Sequence, residues 1–267
     1  MKASLILAFS TILAISFADM ACGGEIKNET FDVDGTFDDY TGAGKLFHSY
    51  VTNAAPVIGV SAGICEMGLI AKDTATMYAI IDLVATNSLV SMKMDYKAIQ
   101  LSSASSAFTL YFGEFPDEAF NPLWHRVTPG SRNWAAVRVN SSGYAVEAYD
   151  GSNTAYTMGS LNIGTTYTWS VFLNEAGHPV SYIGPDEVEY SLNSACWSFF
   201  IGTTQVGHNL PKGTNVGDGS AAYLRGIAIQ LDRNWDGGTT RSAIDNVVIR
   251  DDLKLYQSQA TTVVIVK

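Results

Sequence analysis

The chain has 267 residues, of which 47% are hydrophobic and 16% are charged. This composition excludes a disordered chain, because it supplies ample apolar material for a core and little charge. Acidic residues (26) outnumber Lys and Arg (16), and the formal net charge is −10 at pH 7. A surface of this sign repels phosphate backbones and anionic lipid, so it argues against nucleic acid and anionic membrane surfaces as partners.

The N-terminus has the pattern of a secretory signal peptide. Lys2 precedes an apolar run from Ala3 to Ala18 that ends in Ser16-Phe17-Ala18, with small residues at the two positions that signal peptidase reads. The pattern predicts a signal peptide over residues 1–18 and an exported protein, either secreted or held in the periplasm or at the cell surface. Cys22 raises the alternative of lipidation, but Asp19 occupies a position where a lipoprotein signal requires an aliphatic residue. No later run is long and apolar enough to predict a membrane span.

The cysteines leave two interpretations open. Cys22, Cys65 and Cys196 show no C-x-x-C spacing, so neither zinc nor thioredoxin chemistry is indicated. In an exported protein Cys65 and Cys196 could form a disulfide across the fold. They could equally be buried thiols that pack as small hydrophobic side chains.

Short apolar runs separated by turn residues fill the chain from about residue 29 onward. The segment 74–84 fits either a helix or a strand, because its β-branched and aromatic content also suits a sheet. Beyond it, apolar residues alternate with polar ones, which is the period of a strand. The alternating runs are Met92 to Lys97, Tyr144 to Ala148, Tyr167 to Leu173 and Leu224 to Leu231.

Turn signals such as Ser142-Gly143, Asp150-Gly151 and Asp236-Gly237 separate these runs at the spacing of an antiparallel sandwich or barrel. We find no linker or repeat that would divide the chain. The sequence therefore predicts an all-β fold, a two-sheet antiparallel jelly-roll sandwich forming a single domain over residues 27–267. The run Thr261 to Val266 is interpreted as one more strand or a frayed tail.

Three segments resemble exported members of the concanavalin A-like jelly-roll superfamily. Leu161 to Asn174 is similar to a central strand of these sandwiches, Ala243 to Ile249 to the closing strand, and Glu29 to Asp32 to the opening strand. The resemblance covers most of residues 29–256 and implies the fold. The superfamily includes lectin-like modules, glycosidases and polysaccharide lyases, so the resemblance alone does not select a function.

The resemblance also implies a structural calcium ion. Many jelly-roll modules bind calcium where acidic residues of the first and last strands meet, and Asp32, Asp34 and Asp245 occupy those positions. An alternative site is the segment containing Asp232, Asn234 and Asp236, whose oxygen ligands at every second position precede Gly237. Ala243 stands where an EF-hand requires Glu, so an EF-hand is excluded, and a polar hairpin loop explains the same residues.

Signals for catalysis are sparse. The paired carboxylates of the superfamily's glucanases, written E-x-D-x-x-E, do not occur, and neither do G-x-S-x-G or H-E-x-x-H. A polysaccharide lyase needs a base and cations that neutralise a uronate carboxylate. His125 and Arg126, with Arg138 on a predicted strand, are the cluster that fits this chemistry.

Aromatic residues near loops indicate a different function. Exposed rings stack on sugar faces, and Trp124, Trp134, Tyr149 and Trp235 are the candidates for such a platform. Burial in the core is the alternative for each ring. The first hypothesis is therefore an extracellular module that binds carbohydrate or cell-envelope glycan. The second is a polysaccharide-degrading enzyme, a lyase before a hydrolase. The position of three side chains in the structure would distinguish the two hypotheses. The enzyme hypothesis requires His125, Arg126 and Arg138 to converge with a Tyr on one concave face.

Overall fold

The computed structural model describes residues 24–52, 56–70, 75–102, 107–115, 133–142, 144–149, 155–213, 223–233 and 239–257. Within these residues the secondary structure consists of seventeen strands and one short 3-10 helix, Phe37–Tyr40. The strands, in chain order, are β1 (Glu25–Glu29), β2 (Ser49–Thr52), β3 (Pro56–Ser61), β4 (Ile64–Ile70), β5 (Ala75–Asn87), β6 (Leu89–Leu101), β7 (Ala107–Gly113), β8 (Asn133–Asn140), β9 (Ala145–Tyr149), β10 (Ala155–Ser160), β11 (Thr166–Asn174), β12 (Val180–Ile183), β13 (Glu189–Leu192), β14 (Cys196–Ile201), β15 (Thr204–Pro211), β16 (Leu224–Arg233) and β17 (Thr239–Arg250).

Two antiparallel sheets form the sandwich. The eight-stranded sheet has the order β15-β14-β11-β6-β17-β4-β3, and β1 also pairs with β17. The seven-stranded sheet has the order β10-β9-β8-β7-β16-β5-β2. Strands β12 and β13 form a separate hairpin. This architecture confirms the predicted fold class, a two-sheet antiparallel jelly-roll sandwich.

The core lies between the sheets and follows the alternation of the sequence. On β6, Met92, Met94 and Tyr96 are buried in the core, while Lys93 and Asp95 lie on the outer face of the sheet. The predicted faces of β11 and β16 are confirmed in the same way, since Trp169, Val171 and Leu173, and Ile227, Ile229 and Leu231, all belong to the core. Burial of these large side chains is the main stabilising contribution to such a fold.

A second apolar layer covers part of the outer face of the eight-stranded sheet. The β12–β13 hairpin and residues 251–257 pack there against β11 and β14. The buried side chains of this layer are Phe172, Tyr182, Leu192, Phe200 and Leu253. Hydrogen bonds hold the C-terminal part of the layer: Ser91 Oγ donates to the carbonyl of Asp252 at 2.5 Å, and the hydroxyls of Ser170 and Tyr256 are 2.6 Å apart.

Three local predictions are resolved or corrected. In the segment 74–84, residues 75–84 belong to strand β5 and do not form a helix. The predicted opening strand at Glu29 to Asp32 is wrong, because β1 ends at Glu29 and Phe31 has a φ of 52°, which is incompatible with a strand. Strand β11 begins at Thr166 instead of Leu161, since Asn162 to Thr165 form a turn in which Gly164 has a φ of 77°.

Cys65 and Cys196 do not form a disulfide; both are free thiols. Cys65 is buried in the core between the sheets, whereas Cys196 packs against the outer layer. Burial raises the pKa of the Cys65 thiol to about 12. Among the residues that the structure describes, no helix is long and apolar enough to cross a membrane.

Candidate ligand-binding face

A row of polar side chains crosses the outer face of the seven-stranded sheet. Glu147 on β9 is opposite Arg138 on β8, Arg138 is opposite Thr109 on β7, and Thr109 is opposite Gln230 on β16. Each of these residues lies between two core residues of its strand, so the alternation of side chains directs it away from the core. Register alone thus aligns two charged and two uncharged polar side chains over four strands. We call these four residues the polar row.

The polar row is accessible at one end. Thr109 and Gln230 have exposed fractions of 2% and 1%, whereas Arg138 and Glu147 are half-buried. A ligand would therefore meet Arg138 and Glu147 first, on strands β8 and β9.

Asn140 extends this end of the row, and Ser141 follows it in the chain. Asn140 donates its side-chain amide to Glu147 Oε1 at 2.7 Å, which fixes the orientation of both side chains. Asn140 Oδ1 and Ser141 Oγ are buried, and neither has a hydrogen-bond partner among the described residues. Since a buried polar atom without a partner costs roughly 1–3 kcal/mol, these two oxygens are positioned to gain from binding a donor.

An apolar strip lies beside the polar row. Ala136, Tyr111, Ala228 and Ile80 follow one another in register over β8, β7, β16 and β5. Phe115 joins the strip by packing over Gly226, where a Cβ would lie 3.2 Å from its ring. The outer face therefore combines a polar half with an apolar half.

Two of the predicted site residues, Arg138 and Tyr149, lie on strands of this sheet. Arg138 is part of the polar row, and Tyr149 pairs with Ala136 in the backbone register of β8 and β9. Trp124, His125, Arg126 and Trp235 lie outside the described residues. The convergence of His125 and Arg126 with Arg138 therefore stays a prediction.

Trp134 does not contribute to an exposed platform, which corrects the prediction made for it. Its side chain is fully buried and belongs to the core between the sheets. The indole N–H donates a hydrogen bond to Glu175 Oε2, and Lys212 Nζ donates to Glu175 Oε1. Because Trp134 lies in the seven-stranded sheet while Glu175 and Lys212 flank strands of the other, these contacts connect the two sheets.

Asp245, one of the predicted calcium ligands, lies at the point where the strand that pairs with β17 changes from β4 to β1. Ile244 pairs with Cys65 of β4, while Val247 pairs with Glu29 of β1. On the other side of β17, the register with β6 shifts between Asp245 and Val248. Asp95 on β6 is directly opposite Asp245. Burial raises the pKa of Asp245, and the negative charges of Asp95 and Asp32 raise it further. Asp32 therefore contributes to the negative potential at Asp245, and the calcium site itself stays a prediction.

The remaining predicted ligands are placed differently. Asp34 Oδ1 accepts the backbone N–H of Ala62 at 2.8 Å, so this oxygen already serves the turn between β3 and β4. Asp232 belongs to β16, which continues to Arg233, and not to a loop that begins after Leu231. Asn234 and Asp236 are outside the described part of the chain. Within that part, no group of three or more His, Cys, Asp or Glu side chains is arranged to hold a metal ion.

Sequence reasoning missed Thr109, Asn140, Glu147 and Gln230. The signal was present, because Arg138 and Asn140 alternate with core valines on β8, as Glu147 alternates with core residues on β9. What the sequence lacks is the register that brings these positions together from separate strands.

Comparisons with known proteins agree with the fold and indicate no narrower family. No protein-family model matches the chain, and no curated protein matches it. A solved protein of unknown function with a galectin-like fold from Bacillus subtilis is similar with a TM-score of 0.51 and 8% identity, over 87% of this chain and 98% of that one. At this identity the similarity concerns the fold alone.

Two other solved structures are similar at lower TM-scores. They are the carbohydrate recognition domain of Emp47p (TM-score 0.49, 9% identity, 85% of this chain and 97% of that one) and a sialidase (TM-score 0.48, 12% identity, 75% of this chain). The chain spans only 16% of the sialidase. The fold is a two-sheet antiparallel jelly-roll sandwich, and it is similar to the galectin-like fold of the Bacillus subtilis protein.

Proposed function

We propose that this protein binds a saccharide at the accessible end of the polar row, around Arg138, Asn140, Ser141 and Glu147. The observation that carries the proposal is the buried acceptor Asn140 Oδ1, which has no partner among the described residues and whose own amide is bonded to the half-buried Glu147, opposite Arg138. Sugar hydroxyls both donate and accept hydrogen bonds, so they match a site that presents a guanidinium donor and several oxygen acceptors.

The charges favour a neutral saccharide over a polyanion. Arg138 and Glu147 are opposite each other in register, so the positive charge of the row is accompanied by a negative one. The net charge of −10 adds a field that disfavours a polyanionic ligand. The glycan that we propose is therefore an uncharged one, from the environment or from a cell envelope.

A glycan array probed with the full chain tests this function. We expect binding to one or more neutral glycans and none to heparin-like or polyuronate glycans. Arg138→Ala and Asn140→Ala should each reduce the signal strongly. Asn28→Ala, which replaces an exposed asparagine on β1 of the other sheet, should leave it unchanged. Absence of any signal on a broad array would contradict the proposal.

The polysaccharide-degrading enzyme is the second candidate. The position of Arg138 on the outer face of the sheet favours it, because a lyase needs a cation beside the substrate carboxylate. Incubation with polyuronates, followed by ultraviolet absorbance of unsaturated uronates, tests this candidate. Product formation that is lost in both His125→Ala and Arg138→Ala would replace the binding function with a lyase.

Calcium at the junction of β17 with β1 and β4 is also a proposal. Asp95 and Asp245 supply two facing carboxylates, and Asp32 is near enough to raise the pKa of Asp245. A hard cation that prefers oxygen ligands, such as Ca²⁺, would offset the repulsion between these groups. The donors are of the chemical type that Ca²⁺ prefers, and Asp95 replaces Asp34 in the proposed set, but binding would require these side chains to move closer together than they are in the described structure.

Export completes the proposed function and rests on the pattern of residues 1–18. Mass spectrometry of the exported protein should place the N-terminus at Asp19. A lipid-modified Cys22 would contradict a soluble exported protein.

A further inference from the structure

Strand β10 continues the outer face of the seven-stranded sheet beyond Glu147. It stands at the end of the strand order, next to β9, and Thr157 of β10 is directly opposite Glu147. Residues that are opposite each other in neighbouring strands direct their side chains to the same face. Thr157 therefore lies on the outer face in line with Glu147 and Arg138, and it is exposed.

A β-bulge brings a second hydroxyl group to this face. The register of β9 and β10 shifts between Thr157 and Gly159, and Ser160 is opposite Ala145. In a regular strand, residues three apart point to opposite faces, but the extra residue of a bulge lets Thr157 and Ser160 point the same way. Met158 agrees with this assignment, because it packs against the core on the inner side. Ser160 is exposed, as Thr157 is.

The bulge depends on the backbone of Gly159. Its φ is 118°, a value that residues with a side chain rarely adopt. A Cβ at this position would meet no atom within 4 Å, so lack of space is not the reason for the glycine. Bulges at sheet edges re-aim side chains, and this one sets the direction of Ser160.

A small residue separates Ser160 from the proposed saccharide site. The register of β8 and β9 includes the pair Val139–Val146, and its continuation places Ala145 opposite Asn140. Ala145 thus lies between Asn140 on β8 and Ser160 on β10. Because its side chain is a single methyl group, the surface between the two polar residues is lower than it would be beside a longer side chain. Asn140 Oδ1, the buried acceptor without a partner among the described residues, lies at the β8 end of this depression.

The face is open toward β10 and closed toward β7. Thr109 and Gln230, on β7 and β16, are only 2% and 1% exposed, whereas β10 presents exposed hydroxyl groups at the edge of the sheet. Strands β8 and β10 are two strand spacings apart, which is about 10 Å. A single sugar ring does not span this distance. A saccharide that contacts both strands is therefore a chain of sugar units that crosses them.

We infer that the proposed saccharide site extends over β9 to the edge strand β10, where Thr157 and Ser160 select a linear neutral oligosaccharide over a single sugar. The inference rests on the proposed function and specifies its ligand. Arg138 and Asn140 hold one sugar unit, and the two hydroxyl groups of β10 bind the units that follow it toward the edge. Serine and threonine hydroxyls donate and accept hydrogen bonds, as sugar hydroxyls do. Strand β10 contains no charged residue, which suits a neutral chain.

Calorimetric titration of the full chain with saccharides of increasing length tests the inference. The probes are glucose, mannose and galactose, each with its linear disaccharide and tetrasaccharide. In a series that binds, we expect the tetrasaccharide to bind at least about tenfold more tightly than the monosaccharide, because it adds hydrogen bonds on β10.

Variants of β10 separate the two parts of the site. Thr157→Val and Ser160→Ala remove the hydroxyl groups, and each should weaken tetrasaccharide binding by about threefold to tenfold while leaving monosaccharide binding unchanged. Gly159→Ala should weaken tetrasaccharide binding as Ser160→Ala does, with retained monosaccharide binding as the measure of an intact fold. Thr204→Val and Ser181→Ala are the matched controls, at exposed positions of β15 and β12, and should bind both ligands normally.

Failure of the inference is distinguishable from failure of the proposed function. Equal affinities for the monosaccharide and the tetrasaccharide in a series that binds would overturn the inference and leave saccharide binding in place. Full tetrasaccharide affinity in both Thr157→Val and Ser160→Ala would overturn it as well. Absence of binding in every series would contradict the proposed function, and the inference would fall with it.

Discussion

Asp95 on β6 and Asp245 on β17 face each other directly across neighbouring strands of the eight-stranded sheet. Asn246, whose φ is 49°, donates its side-chain amide to Asp95 Oδ2 at 2.8 Å and to Asp245 Oδ2 at 3.2 Å. Thr168 donates to Asp95 Oδ1 at 2.6 Å. These hydrogen bonds moderate the repulsion between the two carboxylates but leave it in place.

Replacement of one carboxylate should therefore stabilise the protein when calcium is absent. Like charges directly opposite in a sheet are destabilising, so Asp245→Asn should raise the free energy of unfolding by about 0.2–1 kcal/mol at pH 7. Urea denaturation in the presence of a chelator measures the change, and Asp38→Asn provides the control for net charge. A destabilised Asp245→Asn would show that the repulsion is already balanced within the protein.

In the presence of calcium, the unmodified protein should be more stable than Asp245→Asn. An ion that binds only the native state stabilises it by about 2.7 kcal/mol at a hundredfold excess over Kd, which corresponds to several degrees in Tm. We expect calcium to raise the Tm of the unmodified protein and to have no effect on Asp245→Asn. Identical Tm values of the unmodified protein in calcium and in chelator would remove calcium from this account. An effect retained in Asp245→Asn and lost in Asp236→Ala would instead place the ion in the segment around Asp232.

The ion pair of Arg250 and Asp252 should make stability depend on acidic pH. Burial acts to raise the pKa of Asp252, but hydrogen bonds from the Arg250 guanidinium and the Lys254 backbone outweigh it and hold the pKa below its usual value. A carboxylate with a lowered pKa contributes stability above its unfolded pKa of about 3.9, and the contribution is lost as the pH falls through the folded value.

Asp252→Asn should consequently cost about 2 kcal/mol of unfolding free energy at pH 7. As the pH falls below about 4 the difference should shrink, because Asp252 becomes protonated first in the unfolded state and then, at still lower pH, in the folded state. Urea denaturation at a series of pH values measures the difference. A difference that is constant from pH 7 to pH 3 would contradict the role given to the ion pair.

We expect the ion pair of Glu175 with Lys212 to contribute more to the free energy of unfolding than the ion pair of Glu66 with Arg241. Glu175→Gln removes the charge that the Trp134 indole and Lys212 both approach, and it should cost about 1–3 kcal/mol. Glu66→Gln breaks the pair with Arg241, which is about one-third exposed, and it should cost below about 1 kcal/mol. Thermal or urea unfolding of the two variants tests the contrast. Equal losses would mean that the Trp134 contact adds nothing.

The fold was predictable because alternation is a local property of the chain. Met92, Met94 and Tyr96 on β6 and the apolar residues of β11 reveal their faces without any knowledge of neighbouring strands. The error at the opening strand has a local cause as well, since nothing in Glu29 to Asp32 reveals that Phe31 adopts a positive φ. The indole of Trp134 was misplaced because residue type alone does not distinguish a buried ring from an exposed one.

The candidate site was only partly predictable, because it depends on pairing between distant strands. Arg138 was identified from its own strand, but Glu147, Thr109 and Gln230 become its neighbours through the order β9-β8-β7-β16. Likewise, the resemblance of Ala243 to Ile249 to a closing strand implies Asp245, whereas its partner Asp95 lies 150 residues earlier in the sequence. Register is a tertiary property, and single-strand patterns do not specify it.

The central claim is tested most directly by titrating a neutral glycan against the full chain and against two pairs of variants. The glycan is one selected from the array. Asn140→Ala removes an acceptor of the proposed site and Arg138→Ala removes its donor, whereas Asn28→Ala and Arg225→Ala make the same changes at exposed positions outside the polar row. We predict that each site variant weakens binding by about tenfold or more and that both controls bind normally. Unchanged affinity in both Asn140→Ala and Arg138→Ala would contradict the assignment of saccharide binding to this face.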